Sequence, residues 1–450
     1  MDNKIRLPYN FEPREYQVPL LHALDSGFKR AVAVWHRRAG KDLVMINYIC
    51  RCMYERVGAY YYFFPTYRQA KKVIWNGMTR DGFKFTDYFP KELRKRTNEQ
   101  EMLIEMKNGS IFQLVGTDKI DAVMGANPVG CVFSEWSLQN PTAWDYTRPI
   151  LAENGGWAVF IYTPRGKNHG HTSLETARAF PKIWHSEVLT VEDTKAIDPD
   201  ILNQEYDEIV RKDGNDSHYQ QEYMCNFEVP IQGAYYATQL MLADEEGRIT
   251  RVPYDENTPV HTAWDLGMDD SMSIWFFQVV NKEIHFIDYY ESSGEGINYY
   301  IKYLQDKKYI YGRHFAPHDI KVRELGTGKS RYEVAKGLGI DFEIGKNLAI
   351  EDGIQAVRNV LSRCWFDKEK TDRGLSALRS YHKEWDEDNQ VFKRKPDHDW
   401  SSHGADAFRS FGVGYREMIP TPPATVVPIR DDPYQRSTGH PDVDFEGGVL

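Results

Sequence analysis

Short runs of apolar residues alternate with segments of helical periodicity along the first half of the chain. Continuous apolar runs are typical of strands that are buried on both faces of a sheet. The predicted strands are residues 31–35, 60–64, 102–106, 110–115, 129–133 and 157–162. A helix is predicted from Asp42 to about Tyr54, and Asn108-Gly109 predicts a hairpin turn between two of the strands. Strands that alternate with helices indicate a largely parallel sheet with both faces covered.

A second series of strands begins near Val260 and follows a different pattern. Residues 262–264, 273–280 and 284–290 predict a meander of adjacent strands. A later strand is predicted at 311–316, with helices around 330–337 and 350–363 and a last helix that begins near His403. We therefore expect an α/β domain over 1–227, a connector rich in Pro and Gly over 228–258, a second α/β domain over 259–418, and a disordered tail over 419–450.

Composition narrows the class of protein. A chain of 450 residues is long enough for two or three cores. The net charge of -10 disfavours a protein that coats nucleic acid, although clustered metal-binding carboxylates would lower the total of a protein that binds DNA locally. Five cysteines without a CxxC pair predict neither disulfides nor a zinc site. No apolar stretch approaches the ~20 residues that span a bilayer. We therefore expect a soluble intracellular protein.

The turn between the first strand and its helix has the layout of a phosphate-binding P-loop. The segment reads His36-Arg37-Arg38-Ala39-Gly40-Lys41-Asp42. Backbone N–H groups of such a turn point at phosphate, and the lysine reaches the β- and γ-phosphates. Two positions depart from the usual pattern, since Trp35 replaces the first glycine and Asp42 replaces the Ser or Thr that binds magnesium. On this segment alone, a plain turn is an equally good interpretation.

A second motif strengthens the nucleotide-site interpretation. The apolar run 129–133 ends in Ser134-Glu135, where a Walker B strand would place Asp followed by Glu. The hydroxyl and the carboxylate that bind magnesium have therefore exchanged places between Asp42 and Ser134. Magnesium would still find one of each. The competing interpretation is that two degenerate motifs mark an inactive nucleotide site.

Other residues have candidate roles beside these motifs. Glu135 would orient or deprotonate the attacking water, and Arg37 or Arg38 would neutralise charge on the γ-phosphate. Upstream of the first strand, Tyr16 and Gln17 either stack on and read adenine or simply begin a surface helix.

Acidic residues at strand and helix ends in the second half suggest metal-dependent chemistry. Asp265 ends the first strand, Asp319 follows the strand at 311–316, and Asp406 lies in the last helix. Such acids match an RNase H-like nuclease with two divalent ions, Mg²⁺ or Mn²⁺, because hard cations prefer oxygen ligands. Asp288 and Glu291 compete with Asp319 for a place near the metals. Further candidates are Asp270 and His403, and any single acid here could be an ordinary strand-end residue.

Together these motifs resemble the large terminase family of tailed bacteriophages and related viruses. The resemblance runs from about residue 11 to 411. It is carried by Arg37 in the P-loop variant, by Glu135 and by Thr163 within 161–166. Further matching segments are 106–111, 116–118, Gly125 and 219–227. The exchanged residues Asp42 and Ser134 depart from the family pattern of magnesium ligation.

The resemblance implies a fold and an activity. The fold would be an N-terminal P-loop (RecA/ASCE-like) ATPase domain with a mainly parallel sheet, followed by an RNase H-like α/β nuclease domain. ATP with Mg²⁺ would occupy the first site, with Thr163 sensing the γ-phosphate, and Asp265, Asp319 and Asp406 would hold two divalent ions.

The resemblance also implies partners and a location. These are double-stranded DNA, the portal protein of a procapsid and a small terminase subunit. The chain would be monomeric when free and would form a ring on the portal, in the host cytoplasm and not in the mature virion or a membrane.

Two other functions fit parts of the sequence. A helicase or restriction-type ATPase would need a second RecA-like domain. An inactive ATPase could serve as a structural adaptor between DNA and portal. The sequence also leaves open whether the basic runs 91–96 and 393–395 contact DNA or are solvated, and the pattern favours a solvated helix face for the first of them. It does not choose between Arg148 and Arg165 as an arginine finger.

Overall fold

The structure is a computed structural model that describes residues 11–118, 125–267, 271–322, 328–386 and 391–415. Two large sheets organise these residues. The strands of the first sheet are β1 (Arg30–Trp35), β2 (Ala59–Phe64), β3 (Arg94–Asn98), β4 (Leu103–Met106), β5 (Ile111–Gly116), β6 (Pro128–Ser134), β7 (Trp157–Tyr162) and β8 (Trp184–Leu189). The helices of this half are α1 (Val18–Asp25), α2 (Lys41–Glu55), α3 (Tyr67–Ala70), α4 (Thr142–Asn154), α5 (His169–Ala179), α6 (Val191–Thr194), α7 (Pro199–Asp213) and α8 (Ser217–Glu222).

The first sheet is mainly parallel. Its strand order is β3-β4-β5-β2-β6-β7-β1-β8. The strands from β5 to β8 are parallel, and the β3–β4–β5 edge is antiparallel. Every residue of β1, β6 and β7 is buried, as the continuous apolar runs predict. Because β7 separates β1 from β6, the carboxyl ends of these three strands meet at one sheet edge.

Two features of this half differ from the sequence interpretation. The basic run at 91–96 is not a helix face, because it enters the edge strand β3, where Lys95 lies 2.6 Å from Glu105. Strand β8 has no counterpart among the predicted strands, since all six of its residues are only partly buried and their polar members mask its apolar ones. The predicted hairpin is confirmed, with Gly109 in the left-handed region at φ 93°.

The second sheet is mixed and contains the predicted meander. Its strands are β9 (Ile249–Thr250), β10 (Val260–Leu266), β11 (Ser271–Val280), β12 (Glu283–Ser293), β13 (Tyr311–Ala316), β14 (Phe342–Ile344) and β15 (Cys364–Asp367), and β16 (Lys383–Asp386) and β17 (Val391–Pro396) form a separate ribbon. The helices are α9 (Ala237–Glu245), α10 (Ile297–Asp306), α11 (Arg331–Gly337), α12 (Ile350–Leu361), α13 (Asp372–Ser380) and α14 (Ser401–Tyr415).

The strand order of the second sheet is β14-β13-β10-β11-β12-β15-β9. Strands β10, β11 and β12 form an antiparallel meander, and β13 and β14 continue the sheet in parallel beside β10. A three-stranded meander with parallel strands added beside its first strand is the arrangement of RNase H-like folds. The mixed α/β class predicted for this half is confirmed.

Helix α14 packs across this sheet and places its polar residues at the sheet edge. Phe408 and Phe411 lie against Phe286, with ring centroids 4.8 and 5.0 Å apart. The Trp275 indole donates a hydrogen bond of 2.9 Å to the Gly404 carbonyl. These contacts fix both the depth and the rotation of α14.

The segment predicted as a connector, 228–258, also contributes to the second core. Tyr236 and Leu240 are at most 1% exposed within it, α9 packs on α12, and β9 pairs with β15. Gly233 and Gly247, which suggested a linker, lie in turns between these pieces. The segment is therefore a folded part of the second half. The predicted tail at 419–450 lies outside the described residues.

Two further expectations concern cysteines and membranes. All five cysteines are buried and unbridged. Among the described residues, no helix combines the length and the apolar character that crossing a bilayer requires.

The packing of α14 is testable at Gly414, where a Cβ atom would lie 2.3 Å from the Phe315 ring. We expect Gly414→Ala to lower the free energy of unfolding by about 1–3 kcal/mol, because the buried ring must move. Gly337→Ala in α11 is the matched control, since nothing lies within 4 Å of its Cβ position. It should be neutral or stabilise by up to about 1 kcal/mol. Equal urea midpoints for the two variants would contradict the close α14–β13 approach.

Candidate functional site

The first candidate site begins at the loop between β1 and α2. Arg38 and Gly40 both have left-handed backbone conformations, with φ 72° and 80°, and α2 starts at Lys41. Left-handed residues next to right-handed ones turn successive N–H groups toward one side, which forms an anion-binding concavity. The N-terminus of α2 adds the positive end of its dipole. The loop therefore has the local geometry that the sequence predicts.

Lys41 joins the ends of β1 and β7. Its buried ammonium donates hydrogen bonds to the Trp35 carbonyl at 3.0 Å, the His36 carbonyl at 3.2 Å and the Thr163 hydroxyl at 3.0 Å. The Thr163 hydroxyl in turn donates to the Trp35 carbonyl at 3.2 Å. The structure thus brings the candidates Lys41 and Thr163 into direct contact.

Asp42 lies in contact with Ser134. The Ser134 hydroxyl donates a hydrogen bond of 2.7 Å to Oδ1 of Asp42. The Tyr62 hydroxyl of β2 donates a second bond of 2.7 Å to the same oxygen. The two exchanged residues therefore face each other as a hydroxyl–carboxylate pair, with their positions reversed relative to an ordinary P-loop.

Tyr62 is a member of this site that the sequence interpretation missed. Its side chain is fully buried, and burial together with the negative Asp42 raises the pKa of Tyr62 well above its usual value. The phenol therefore remains a donor that holds the carboxylate. Its one signal in the sequence was a phenol hydroxyl within the aromatic run 60–64, which Tyr60 and Tyr61 share.

Glu135 follows β6 in a strained conformation. Its φ of 56° is left-handed, which is unfavourable for a residue with a side chain and is often found at functional positions. Four residues later, the Gln139 amide donates to the carbonyls of Phe63 at 3.0 Å and Ser134 at 2.7 Å. The turn that presents Glu135 is thereby anchored to two strand ends.

Glu222 is a second residue that sequence reasoning did not single out. It is 3% exposed, and its carboxylate lies 2.6 Å from Arg165 and 3.7 Å from Arg37. The Arg37 N–H also donates to the Glu222 carbonyl at 2.8 Å. A buried acid thus positions two arginines beside the loop. The segment 219–227 was recognised as one that matches the family pattern, but Glu222 was not singled out within it.

Tyr16 and Gln17 support the loop from outside. The Tyr16 hydroxyl and the Gln17 amide donate to the Ala39 carbonyl at 2.9 and 3.0 Å. Gln17 is 2% exposed. Both residues therefore contact the predicted phosphate loop, and their predicted contact with adenine stays a prediction.

A cavity of about 800 Å³ opens in front of these groups. Its lining includes Arg37, Arg38, Gly40, Lys41, Asp42, Glu135, Thr163, Arg165 and Glu222, together with apolar side chains such as Val73 and Phe85. The volume lies within the range of about 300–1,000 Å³ that small-molecule sites occupy. The Lys41 ammonium, the two arginines of the loop and the carboxylates of Asp42 and Glu135 therefore meet in one cleft.

The second candidate site lies at one edge of the second sheet. Asp265 is near the end of β10, and His403 and Asp406 are on α14. Nδ1 of His403 lies 3.4 Å from Oδ2 of Asp265. Asp319 is exposed in the 3₁₀ turn His318–Lys321 that follows β13. Because β13 runs parallel to β10, Asp319 belongs to the same edge as Asp265.

The charge on Asp406 is poorly compensated. Burial is the largest cause and, together with the neighbouring Asp265 carboxylate, raises the pKa of Asp406 to about 6 against the opposing effect of Arg409. Arg409 lies 3.0 Å from the Asp406 carboxylate, and the Tyr381 hydroxyl lies 3.3 Å from it. Two acids close together in a partly buried place form a suitable environment for a divalent cation.

The competing acids are already paired. Asp288 is buried and forms an ion pair with Lys307, and the Tyr309 hydroxyl lies 3.4 Å away. Glu291 receives a 2.8 Å hydrogen bond from Arg373. These partners favour Asp319 over both as the third candidate, although Asp319 remains a prediction.

The described acids at this edge form a pair and not a complete set of metal ligands. Within the described ranges, no three His, Cys, Asp or Glu side chains converge as a ready-made ligand group. Asp270 lies outside the described residues. Asp265 and Asp406 fit a hard divalent ion because they offer oxygen donors and because a cation would relieve their mutual repulsion. A third ligand would have to come from the turn that carries Asp319.

Comparisons with known proteins were made by family, by sequence and by structure. No protein-family model and no curated protein matches the chain. The large terminase of a thermophilic bacteriophage, in complex with ADP, is similar at 16% identity and a TM-score of 0.40, over 88% of this chain and 98% of that one. The ATPase domain of the Thermus phage P74-26 large terminase is similar at 19% identity and 0.39, over 50% and 100%.

A third similar structure is the nuclease domain of the bacteriophage SPP1 large terminase with bound Mn, at 16% identity and a TM-score of 0.28 over 36% and 87%. All three structures are large terminases or their domains. At these scores the likenesses carry no functional argument, and the geometry of the two sites has to supply it.

The raised pKa of Asp406 predicts a pH-dependent stability. A carboxyl whose pKa is raised in the folded state stabilises the fold below about pH 4, and this contribution is lost as the pH rises through about 6. Asp406→Asn should therefore melt a few degrees above the unchanged protein at pH 8 in EDTA, and at the same temperature near pH 4. Asp207→Asn on the exposed face of α7 is the control. An equal increase at both pH values would contradict the electrostatic cause.

Proposed function

We propose that this chain is the large subunit of a viral terminase. ATP hydrolysis in its first half would drive double-stranded DNA into a procapsid, and a two-metal endonuclease in its second half would cut concatemeric DNA. The observation that carries the proposal is the presence of two separate charged sites in one chain, the Asp42–Ser134 pair at a P-loop and the Asp265–Asp406 pair on an RNase H-like sheet. We assign 1–227 to the motor domain and 259–418 to the nuclease domain, with 228–258 packed on the latter.

The motor site would bind ATP with Mg²⁺ through the loop before α2, whose residues Arg38, Gly40, Lys41 and Asp42 line the cavity, and through Ser134 behind Asp42. Backbone N–H groups of Arg38, Ala39 and Gly40 would hold phosphate oxygens, and Lys41 would move from its carbonyl partners onto the β- and γ-phosphates. Asp42 and Ser134 would hold Mg²⁺, which neutralises phosphate charge when bound. Tyr62 fixes the orientation of Asp42 through its hydrogen bond.

Hydrolysis needs a positioned water and a cation near the transferred phosphoryl group. Glu135 lines the cavity and would orient the water. Arg37 would supply positive charge, with Glu222 holding it until nucleotide competes for it. Thr163 contacts Lys41, so a change at the γ-phosphate would reach β7 through this pair. Tyr16 and Gln17 would close the adenine end.

The nuclease site would hold two divalent ions, Mg²⁺ or Mn²⁺, on Asp265, Asp319 and Asp406. Such ions activate water and stabilise the departing 3′-oxygen when bound. Asp265 is oriented by His403, and Asp406 is oriented by Arg409 and Tyr381. Because these partners compensate the charge of the two acids only in part, both carboxylates would remain available to bind metal ions.

The proposed partners follow from this role. The chain would act as a ring on the portal of a procapsid, loaded with DNA by a small terminase subunit, in the cytoplasm of the host. The helicase alternative is weakened because the second sheet has an antiparallel meander and not a second RecA-like parallel order. The adaptor alternative predicts no ATP turnover with or without DNA, and a zero rate in both conditions would favour it.

The exchanged magnesium ligands can be tested by reversing them. We expect Asp42→Thr and Ser134→Asp each to reduce ATP turnover strongly, because one leaves two hydroxyls and the other two repelling carboxylates. The double variant restores one of each. Its rate should exceed the product of the single effects by about tenfold, which corresponds to about 1.4 kcal/mol of coupling. Tyr62→Phe, which removes one donor to Asp42, should cost less than either single change. If the loss of ATP turnover in the double variant equalled the product of the two single losses, the exchange hypothesis would be refuted.

The nuclease assignment can be tested separately from the motor. Asp265→Asn should abolish Mn²⁺-dependent nicking of plasmid DNA and leave ATP hydrolysis unchanged, because the two sites use different side chains. Asp319→Asn should also lose nicking. Asp288→Asn tests the competing acid, since Asp288 is already paired with Lys307, and the folded fraction of this variant should retain nicking. Full nicking by Asp265→Asn would refute the site.

A further inference from the structure

Arg373 lies where the proposed motor and nuclease domains meet. It belongs to α13, and its Nη2 atom is within hydrogen-bond distance of three oxygens. These are Oε1 of Glu291 at 2.8 Å, Oδ1 of Asn140 at 3.1 Å and Oγ1 of Thr142 at 3.2 Å. One nitrogen of a guanidinium carries two hydrogens, so three oxygens compete for two donors. Two of the competitors belong to the motor side and one to the nuclease side.

The motor-side oxygens are tied to the turn that carries Glu135. Asn140 directly follows Gln139, whose amide bonds the ends of β2 and β6. The Asn140 side chain also accepts a 3.1 Å bond from the Thr142 N–H at the start of α4. Any movement of the segment after Glu135 would therefore change the distance from Asn140 and Thr142 to Arg373.

The nuclease-side oxygen belongs to the row of the proposed metal site. In the strand register, Asp265 pairs with Ser273 and Ser273 pairs with Glu291. The guanidinium of Arg373 also lies 4.6 Å from the centre of the Trp400 ring, directly before α14. Arg373 therefore contacts β12, two strands away from Asp265, and the residue that directly precedes the helix with Asp406.

The charges at this junction are largely removed from water. The side chains of Glu291 and Arg373 are 8% and 23% exposed, so their interaction is only weakly screened. When Arg373 holds Glu291, the pair adds little net charge to the metal site. When the motor-side oxygens accept the hydrogens of Nη2, the negative charge of Glu291 is less fully compensated, and a divalent cation at the carboxylate site is held more tightly.

We propose that Arg373 is a positioning residue through which the motor domain sets the divalent-metal affinity of the nuclease domain. This inference rests on the proposed function. A movement of the turn after Glu135 would change which oxygens accept the two hydrogens of Nη2. This in turn would change how far Arg373 compensates the negative charge of Glu291, and so the affinity of the carboxylate site for a cation.

Two conservative variants on the motor side should act in opposite directions. Asn140→Asp keeps the size of the side chain and its bond to the Thr142 N–H but is a stronger acceptor for Arg373. Thr142→Val keeps the shape and removes an acceptor. In the full chain without nucleotide, we expect Asn140→Asp to tighten Mn²⁺ binding about threefold or more and Thr142→Val to weaken it about twofold. Free Mn²⁺ is measured by its electron paramagnetic resonance signal, and the Mn²⁺ concentration for half-maximal nicking is measured beside it.

The role of Arg373 is isolated by repeating both changes in an Arg373→Gln background, where neither should alter Mn²⁺ affinity. Mn²⁺ ions that still bind to the Asp265→Asn variant occupy other sites, and this binding is subtracted from that of every other variant. If the Asn140→Asp effect persists without Arg373, the added charge acts directly and the proposal is overturned, and shifts in the same direction for the two single variants overturn it as well. The single variants decide the matter even if Arg373→Gln does not fold. An unchanged protein that binds no Mn²⁺ at Asp265 and nicks no DNA would refute the nuclease function itself.

Discussion

The hydrogen bond from the Ser134 hydroxyl to the Asp42 carboxylate is the contact on which the first half depends. It links the end of β6 to the start of α2, and the Lys41–Thr163 bond links the same loop to β7. These bonds are possible because β6, β7 and β1 are parallel neighbours, so their carboxyl ends share one edge. A different strand order would place the same residues out of reach. The chemistry of this cleft therefore follows from the sheet topology and not from the loop sequence alone.

The second half illustrates how charge balance separates structural acids from candidate ligands. Asp288 and Glu291 each have a basic partner, Lys307 and Arg373. Such pairs lose stability when one member is removed, and neither acid is free to bind a cation without breaking a bond. Asp406 differs because burial and the nearby Asp265 outweigh the effect of Arg409, which leaves its pKa raised to about 6. The fold thus tolerates an unfavourable charge at this edge, and a bound cation would relieve it.

The strands that could be predicted from the sequence are those marked by a pattern of neighbouring residues. The buried strands β1, β6 and β7 and the meander of β10 to β12 were found because apolar runs and turn residues mark them. Strand β8 was missed because its burial is partial, and the packed role of 228–258 was missed because turn residues surround its apolar ones. Tyr62 and Glu222 were not singled out despite weak signals, since their importance comes from partners 20 or more positions away. Pairings of this kind depend on tertiary structure, which no local pattern encodes.

The junction between the halves adds an aromatic contact to the polar one. Trp136, the residue after Glu135, packs edge-on against His169 at 4.9 Å, and His169 packs edge-on against Trp400 at 5.4 Å. Burial lowers the pKa of His169 to about 3, so this ring is neutral at physiological pH. Trp400 is also the ring beneath Arg373. Because packed rings resist small deformations, a shift of the Glu135 turn would displace Trp400 and the Asn140 oxygen together. In the proposed coupling, the rings would carry a displacement to Trp400, directly before α14, and Arg373 would carry the change in charge to Glu291 on β12.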